Sequence, residues 1–255
     1  MNFTAAGLSD VGLQREHNED SFCIVAEHRL FVVADGMGGH RAGDIASRMA
    51  TAEVKGFFEA AETDEGAWPD SKGTSLPVDQ QRLVSAVELA NQRIFQASIG
   101  NQSVQGMGTT IVGALFNRGE RQIHIAHVGD SRAYRVRGGE LTQITRDHSL
   151  LNDYLLVMPN LTEAQRQRLP SNVITRALGM QDAVAVDVCV ENVQPGDVYV
   201  LCSDGLNGMV SDDRIRDLVH SAGGDIEWAA KALVSEANQN GGEDNITVVL
   251  VKITE

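Results

Sequence analysis

Apolar residues fall along this chain in short runs rich in Val and Ile, separated by clusters of Gly, Asp, Asn and Ser. Such runs predict strands at residues 3–8, 21–26, 30–34, 109–116, 122–127, 132–136, 185–190, 198–202 and 245–253. Longer stretches of mixed polarity predict helices at 42–60, 78–98, 212–222 and 225–240. Ser211 followed by Asp212 and Asp213 reads as a helix start, with a capping hydroxyl and then carboxylates in the first turn. The links EHR, NRGE and GDS are too short for parallel crossovers and favour hairpins. Strands come in runs and helices in pairs, so the class is α+β. Nine strands exceed one small sheet. Two packed antiparallel sheets with helix pairs outside would bury both faces of each.

Two segments break the pattern. Residues 62–79, ETDEGAWPDSKGTSLPVD, are rich in Gly, Pro, Ser and acids and read as a loop inserted between helices. Residues 149–172 hold LLNDYLLVMPN, a short helix-like TEAQRQRL and Pro170. Neither is a domain boundary, so one domain over 1–255 is expected.

Hydrophobic residues make up 42% and charged residues 22%, which excludes disordered and collagen-like classes. Basic residues number 21 and acidic ones 35, a formal net charge of −14. That is a poor start for a nucleic-acid or anionic-membrane binder, and it suits a chain that gathers divalent cations. Cys23, Cys189 and Cys202 are too few for a disulfide framework and sit among apolar residues, so they read as reduced, buried small hydrophobes. No signal-like N-terminus is present, and no run approaches the ~18 apolar residues of a membrane span. The expectation is a cytoplasmic protein that engages neither nucleic acid nor membrane. Nothing argues for an oligomer, so a monomer is expected.

The chemistry lies in where the aspartates fall. Asp20 closes RxxNED before SFCIV, Asp35 ends FVVA and opens DGMGG, and Asp130 lies in VGDSR between two strands. Asp204 follows VYVLCS, and Asp244 lies in EDN just before ITVVLV. Singly, each is an ordinary turn residue. Together, five aspartates at five strand ends could project into one crevice, where hard oxygen ligands collect Mg²⁺ or Mn²⁺. DGMGGHRAG places Gly36, Gly38, Gly39 and Gly43 between a strand and a helix, either as a flexible turn or as backbone that approaches a metal or phosphate closely. Of seven histidines none shows a zinc spacing. His124 and His127 read as satisfied core or edge residues, and His40, after the Gly-rich turn, as a candidate proton donor. No GxSxG and no phosphate-cradling cysteine loop supports a covalent nucleophile.

The segments SDVGLQREHNEDSF (9–22), FVVADGMGGHRAGDIAS (31–47), GTTIVGALF (108–116), HVGDSRAYRVRGGELTQITRDHS (127–149), NVITRALG (172–179), DVYVLCSDGLNGMVSD (197–212) and EDNITVVLV (243–251) resemble, in order, the motifs of metal-dependent protein phosphatases of type 2C, the PPM family, in its compact bacterial form. The resemblance covers nearly the whole chain. It implies a four-layer α-β-β-α sandwich with a metal centre at one end of the two sheets. It also implies hydrolysis of phosphoserine and phosphothreonine in proteins by a hydroxide bridging two Mn²⁺ or Mg²⁺ ions, with no phosphoenzyme. By that resemblance Asp35 bridges the two ions and the Gly36 carbonyl binds one of them. Asp204 and Asp244 complete one ligand set, and Glu19 and Asp20 reach the other ion through waters. Asp130 with Asp204 holds a third, weaker ion, and Arg15 binds the substrate phosphate. The partners implied for a bacterial relative are a Ser/Thr kinase and its targets.

One departure bears on mechanism. Animal relatives carry a histidine directly after the Asp-Gly pair, proposed as the acid for the leaving group, but this chain has Met37, which cannot donate a proton. The donor is then His40 or a water on the metals. Residues 149–172 correspond to the family's variable flap. Its apolar Tyr154–Pro159 would either dock a partner protein or pack the flap onto the body. A catalytically silent PPM-fold binding module, a pseudophosphatase, is the alternative, and it is opposed by the filled acidic positions. A generic cation-binding domain leaves Arg15 and the Gly-rich turn unexplained.

Overall fold

In the strand Leu30–Met37, Phe31 and Val33 point one way and Leu30, Val32 and Ala34 the other, and all five are buried. A strand that is apolar on both faces needs a packed layer on each side. The structure, a computed structural model, describes residues 2–38, 42–63, 77–117, 119–166, 169–170 and 173–255. Its strands are β1 (Phe3–Asp10), β2 (Asp20–Val25), β3 (Leu30–Met37), β4 (Gly108–Thr109), β5 (Ile111–Phe116), β6 (Gln122–Val128), β7 (Arg132–Arg137), β8 (Glu140–Gln143), β9 (Asp187–Asn192), β10 (Val198–Cys202) and β11 (Ile246–Ile253). Its helices are α1 (Ala42–Thr63), α2 (Val78–Gly100), α3 (Leu150–Val157), α4 (Glu163–Arg166), α5 (Asp204–Asn207), α6 (Asp212–Ser221) and α7 (Ile226–Gln239).

One sheet has the order β1-β11-β10-β7-β8, the other β2-β3-β5-β6-β9 with β4 paired to the end of β3, and every pairing is antiparallel. Three apolar layers hold these parts together. Phe31, Val33, Tyr199, Leu201, Val249 and Val251 meet between the sheets. Val32, Ala34, Ala126 and Val128 face α1 and α2, through Ala46, Val54, Val87 and Ile94. Val200, Cys202, Val248 and Leu250 face α6 and α7, through Ile215, Leu218, Leu233 and Val234. The result is the expected four-layer α-β-β-α sandwich. Ser211 caps α6, accepting from the Arg214 N–H, and Asp225 caps α7, accepting from the Trp228 N–H at 2.9 Å.

The inter-sheet layer is closed at one end by aromatic rings. Phe3, Phe31, Phe116 and Tyr199 pack with centroids 5.4–6.1 Å apart. These residues stand at the ends of β1, β3, β5 and β10 remote from Asp10, Asp35, Thr109 and Asp204. One end of the sandwich is therefore plugged, and the other is left to polar side chains.

The structure differs from the sequence expectations locally. The 109–116 strand breaks at Thr110, and the 185–190 strand lies two residues later. β8, α3 and α5 are additional, whereas α4 falls within the helix-like TEAQRQRL. LLNDYLLV forms a helix because Ser149 caps it, accepting from the Asn152 N–H at 3.3 Å. Residues 64–76 of the expected 62–79 loop, and 167–168 and 171–172 of the expected flap, lie outside the described residues. Cys202 is buried as expected, but Cys23 and Cys189 are half-buried; all three are free thiols. No described helix is long and apolar enough to cross a membrane.

Candidate active site

The unplugged end collects the aspartates. Asp20 and Asp35 are direct cross-strand partners of β2 and β3. Asp35 shares the face of Phe31 and Val33, so it points toward the gap between the sheets. Its backbone is pinned by the GTT segment. Its N–H donates to Thr110 Oγ1 at 3.2 Å, and its carbonyl accepts from the Thr110 N–H and Thr109 Oγ1, each at 2.8 Å. Asp204 opens α5 directly after β10, Asp130 sits in the β6–β7 turn, and Asp244 lies two residues before β11. A cleft of about 570 Å³ is lined by Arg15, Asp130, Arg132, Asp147, Asp204 and Asp244.

These carboxyl groups disturb one another. Burial, and then the charges of Asp20, Asp204, Asp244 and Asp130, hold the Asp35 carboxyl well above the usual range. Burial pushes Asp20 up to about 7, although hydrogen bonds from Thr247 and Ser203 work against it. Burial, then Asp204 and Asp147, push Asp130 up to about 7. Asp204 is raised by burial and by Asp244, while a hydrogen bond with Asp35 offsets part of the rise. Asp20 Oδ1 and Asp130 Oδ1 are buried with no hydrogen-bond partner. Buried polar atoms are rarely left so. Acids that hold protons near neutral pH, with orphaned oxygens among them, form a site short of cations. The donor set is all oxygen, which fits Mg²⁺ or Mn²⁺ and not a soft-ligand metal.

Arg15 stands at the mouth. Its Nη2 donates to Asp244 Oδ2 at 2.6 Å, and its Nε to the Glu243 carbonyl at 3.4 Å. The RxxNED pattern has a local reason. Asn18 Nδ2 donates to Ser9 Oγ at 2.8 Å, and its Oδ1 accepts the Asp20 N–H at 3.1 Å, which turns the chain into β2. Glu19 is raised by burial, with Arg15 pulling the other way. The glycines serve this packing. A Cβ on Gly36 would strike the Gly43 carbonyl oxygen, and one on Gly43 would lie 2.6 Å from Glu19 Oε2. Glycine at both positions lets the start of α1 close over Glu19. The Gly36 N–H also donates to the Glu19 carbonyl at 3.1 Å.

Asp20, Asp35, Asp130, Asp204 and Asp244 thus share one charge cluster, with Glu19, Gly36 and Arg15 beside them. His40 lies outside the described residues. The sequence reading missed the polar residues that hold the acids. Buried Ser203 donates from Oγ to Asp20 Oδ2 at 2.8 Å and accepts the Thr247 N–H at 2.9 Å. The one signal for them is a Ser and a Thr interrupting apolar strand ends.

A second grouping of ligand-type side chains is His127, His148 and Asp187. The two rings stack with centroids 4.8 Å apart. His148 Nδ1 accepts the Gly129 N–H at 3.0 Å, which leaves the proton on Nε2, 3.3 Å from Asp187 Oδ2. Arg176 Nη1 donates to Asp187 Oδ1 at 2.6 Å. His127 Nε2 meets the Arg146 carbonyl at 2.9 Å. A metal here would have to displace a guanidinium and a ring proton. His127 is thus only partly satisfied, with Nδ1 unpartnered, and both ring nitrogens of the buried His124 lack partners. The expectation of satisfied histidines does not hold for either.

Comparison with known proteins bears on this geometry. A family model described as protein phosphatase 2C matches residues 14–223. The chain is 40% identical over 256 residues to the protein phosphatase PhpP of Streptococcus pneumoniae, covering 97% of this chain and 96% of that one. It superposes on the serine/threonine phosphatase PstP/Ppp of Mycobacterium tuberculosis with a TM-score of 0.84, at 34% identity over 99% of both chains. A catalytic domain of PstP in complex with 2 manganese ions aligns with a TM-score of 0.81, at 33% identity over 99% of both. The sandwich, the acidic crevice and these likenesses agree: the chain belongs to the protein phosphatase 2C family of metal-dependent serine/threonine phosphatases.

Proposed function

We propose that the chain hydrolyses phosphoserine and phosphothreonine esters in proteins at the acidic crevice, with two Mn²⁺ or Mg²⁺ ions as cofactor and a third bound more weakly. The observation that carries this reading is the convergence of five strand-end aspartates with buried oxygens that no donor reaches. Asp35 is the central ligand, since all four other aspartates act on it. The Gly36 carbonyl would bind one of the two cations, and Asp204 and Asp244 would complete one cation's ligand set. Glu19 and Asp20 would reach the other through waters, and Asp130 with Asp204 would hold the third.

When bound, the cations supply an acidified water and positive charge against the phosphoryl oxygens. The rest falls to this chain's side chains. Asp35 and Asp20 release the protons that burial and mutual repulsion keep on them, so loading is favoured by rising pH. Arg15, half-exposed and held on Asp244, turns its guanidinium onto the phosphoryl group and fixes it for in-line displacement. Met37 has no proton for the leaving alkoxide, so His40 or a water at the centre supplies it.

We further infer one catalytic domain over 1–255, acting as a cytoplasmic monomer against a bacterial serine/threonine kinase and its targets. The pairing of β1 with β11 joins both ends of the chain in one sheet and supports the single domain. The test is phosphate release from a phosphothreonine peptide with Mn²⁺, with and without chelator, beside Asp204→Asn. Turnover that needs both metal and Asp204 is expected. Binding of two Mn²⁺ without turnover would favour the pseudophosphatase, and no Mn²⁺ binding would overturn the whole assignment.

A further inference from the structure

Asn245 stands between Asp244 and the first residue of β11 and is 4% exposed. Its side chain makes three hydrogen bonds, all to the backbone of the loop that carries Arg15. Nδ2 donates to the Val11 carbonyl and to the His17 carbonyl, each at 2.9 Å, and Oδ1 accepts the Glu19 N–H at 2.7 Å. The backbone partners settle the amide's orientation, because only an oxygen can face the Glu19 N–H. Two donors and one acceptor in this compact fan are what a primary amide offers; a carboxylate or hydroxyl does not supply them.

The bonds bracket Arg15 on both sides. Arg15's own tethers are weaker: a half-exposed ion pair to Asp244 and a 3.4 Å contact to the Glu243 carbonyl. Exposed ion pairs fix a long side chain poorly. The loop and the 242–245 turn also interlock, since the Leu13 and Gln14 N–H groups donate to the Gly242 carbonyl and a Cβ on Gly12 would strike the Asp244 carbonyl. We propose that Asn245 is a positioning residue whose amide sets the 11–19 loop, and with it Arg15, against Asp244. The proposal rests on the reading of Arg15 as the phosphate ligand.

The test is a double-mutant cycle on the Mn²⁺-loaded full chain, with N245A, R15A and the pair, measured on a phosphothreonine peptide. N245A should raise KM on the order of 10-fold, as loss of a supporting residue behind a ligand does. On the R15A background N245A should raise KM no further, because the residue acts through Arg15. Amide exchange gives a readout independent of turnover: protection at residues 13–19 falls in N245A while that of β10 stays as in the unaltered chain. An equal KM increase on both backgrounds, or unchanged protection of the loop, overturns the proposal. If the unaltered chain releases no phosphate, the reading of the site has failed, and loop protection alone decides the clamp. Should N245A lose its cooperative unfolding transition, N245S, which keeps a small polar group in the same pocket, carries the same cycle.

Discussion

Two clusters of ligand-type side chains lie at the same end of this molecule, and they are built to opposite rules. In the acidic crevice, buried carboxyls crowd together, neighbouring acids raise Asp20, Asp35 and Asp130, and oxygens of Asp20 and Asp130 have no partner. In the His127–His148–Asp187 cluster, Arg176 neutralises Asp187 and the backbone at Gly129 occupies His148. Both contain metal-ligating residue types and both leave a buried polar atom unpartnered, His127 Nδ1 in the second, but only the first crowds several buried carboxyls against one another. Proximity of ligand residues is therefore a weak sign of a metal centre, and crowding of buried carboxyl groups a strong one.

The largest effect should come from removing the most crowded acid. Asp35→Asn should lower kcat on the order of 10³-fold, the scale for losing a principal electrostatic element of a site. In metal-free protein the same change should raise the melting temperature, because it removes a carboxyl that burial and four neighbours keep from ionising as it does in the unfolded chain. Calorimetry of the variant and the unaltered chain without metal checks this. A metal-free Asp35→Asn that melts lower would mean the crevice is not strained.

The next effect is on pH. Asp20 and Asp130 have folded-state values raised to about 7, against unfolded values near those of free carboxylates. Between about pH 4 and 7 the folded state therefore binds more protons than the unfolded state. Metal-free stability should fall as pH rises through that window, by about 1.4 kcal/mol per pH unit for each such group. Saturating Mn²⁺ should flatten or reverse the slope, since bound cations replace the protons. Denaturant unfolding from pH 4.5 to 7 with and without metal is the measurement. A rising metal-free curve would contradict the assigned shifts.

The acidic half of this contrast is legible in the order of residues along the chain. Aspartates at the ends of apolar strands are visible because strand ends are visible, and alternation such as that in β3 places each on a known face. The acids' partners are not legible in the same way. Ser203 reaches Asp20 across 183 residues and Asn245 reaches Glu19 across 226, distances over which local pattern carries no information. Asn245 in particular looks like a turn residue, and only its three backbone partners reveal otherwise. The stacked histidines are hidden for the same reason, as His127 lies near the end of β6 and His148 precedes α3. The α3 helix escapes a pattern reading because apolar residues fall on both its half-buried side (Leu150, Leu151, Leu155) and its exposed side (Leu156, Val157), so the usual amphipathic contrast is absent.

The histidine cluster, where Arg176 neutralises Asp187, should respond in the other direction from the crevice. His148→Ala leaves the Gly129 N–H and the Asp187 carboxyl short of a partner, so stability should fall by about 1–3 kcal/mol. Mn²⁺ stoichiometry should not change. Chemical unfolding and isothermal titration separate the two readouts, and loss of one bound ion would show that the histidines do hold metal.

The smallest expected effect concerns α3, where Leu156, Val157 and Met158 are exposed and no helix residue is buried. The flap reading offers two roles for these residues, packing onto the body or meeting a protein. Exposure at Leu156 and Val157 of 63% and 81% leaves little apolar area for the body to cover. Replacing Leu156 and Met158 together by Ser should therefore move stability by no more than about 0.5 kcal/mol, the range of ordinary surface changes. Turnover of a small aryl phosphate should be unaltered, because that substrate needs only the crevice. If the apolar face meets protein, kcat/KM on a phosphoprotein falls while the aryl phosphate is unaffected. If it packs the flap in place, both substrates and stability shift together. Equal rates on both substrates at unchanged stability would remove α3 from substrate recognition and leave the crevice and the Arg15 loop to account for it.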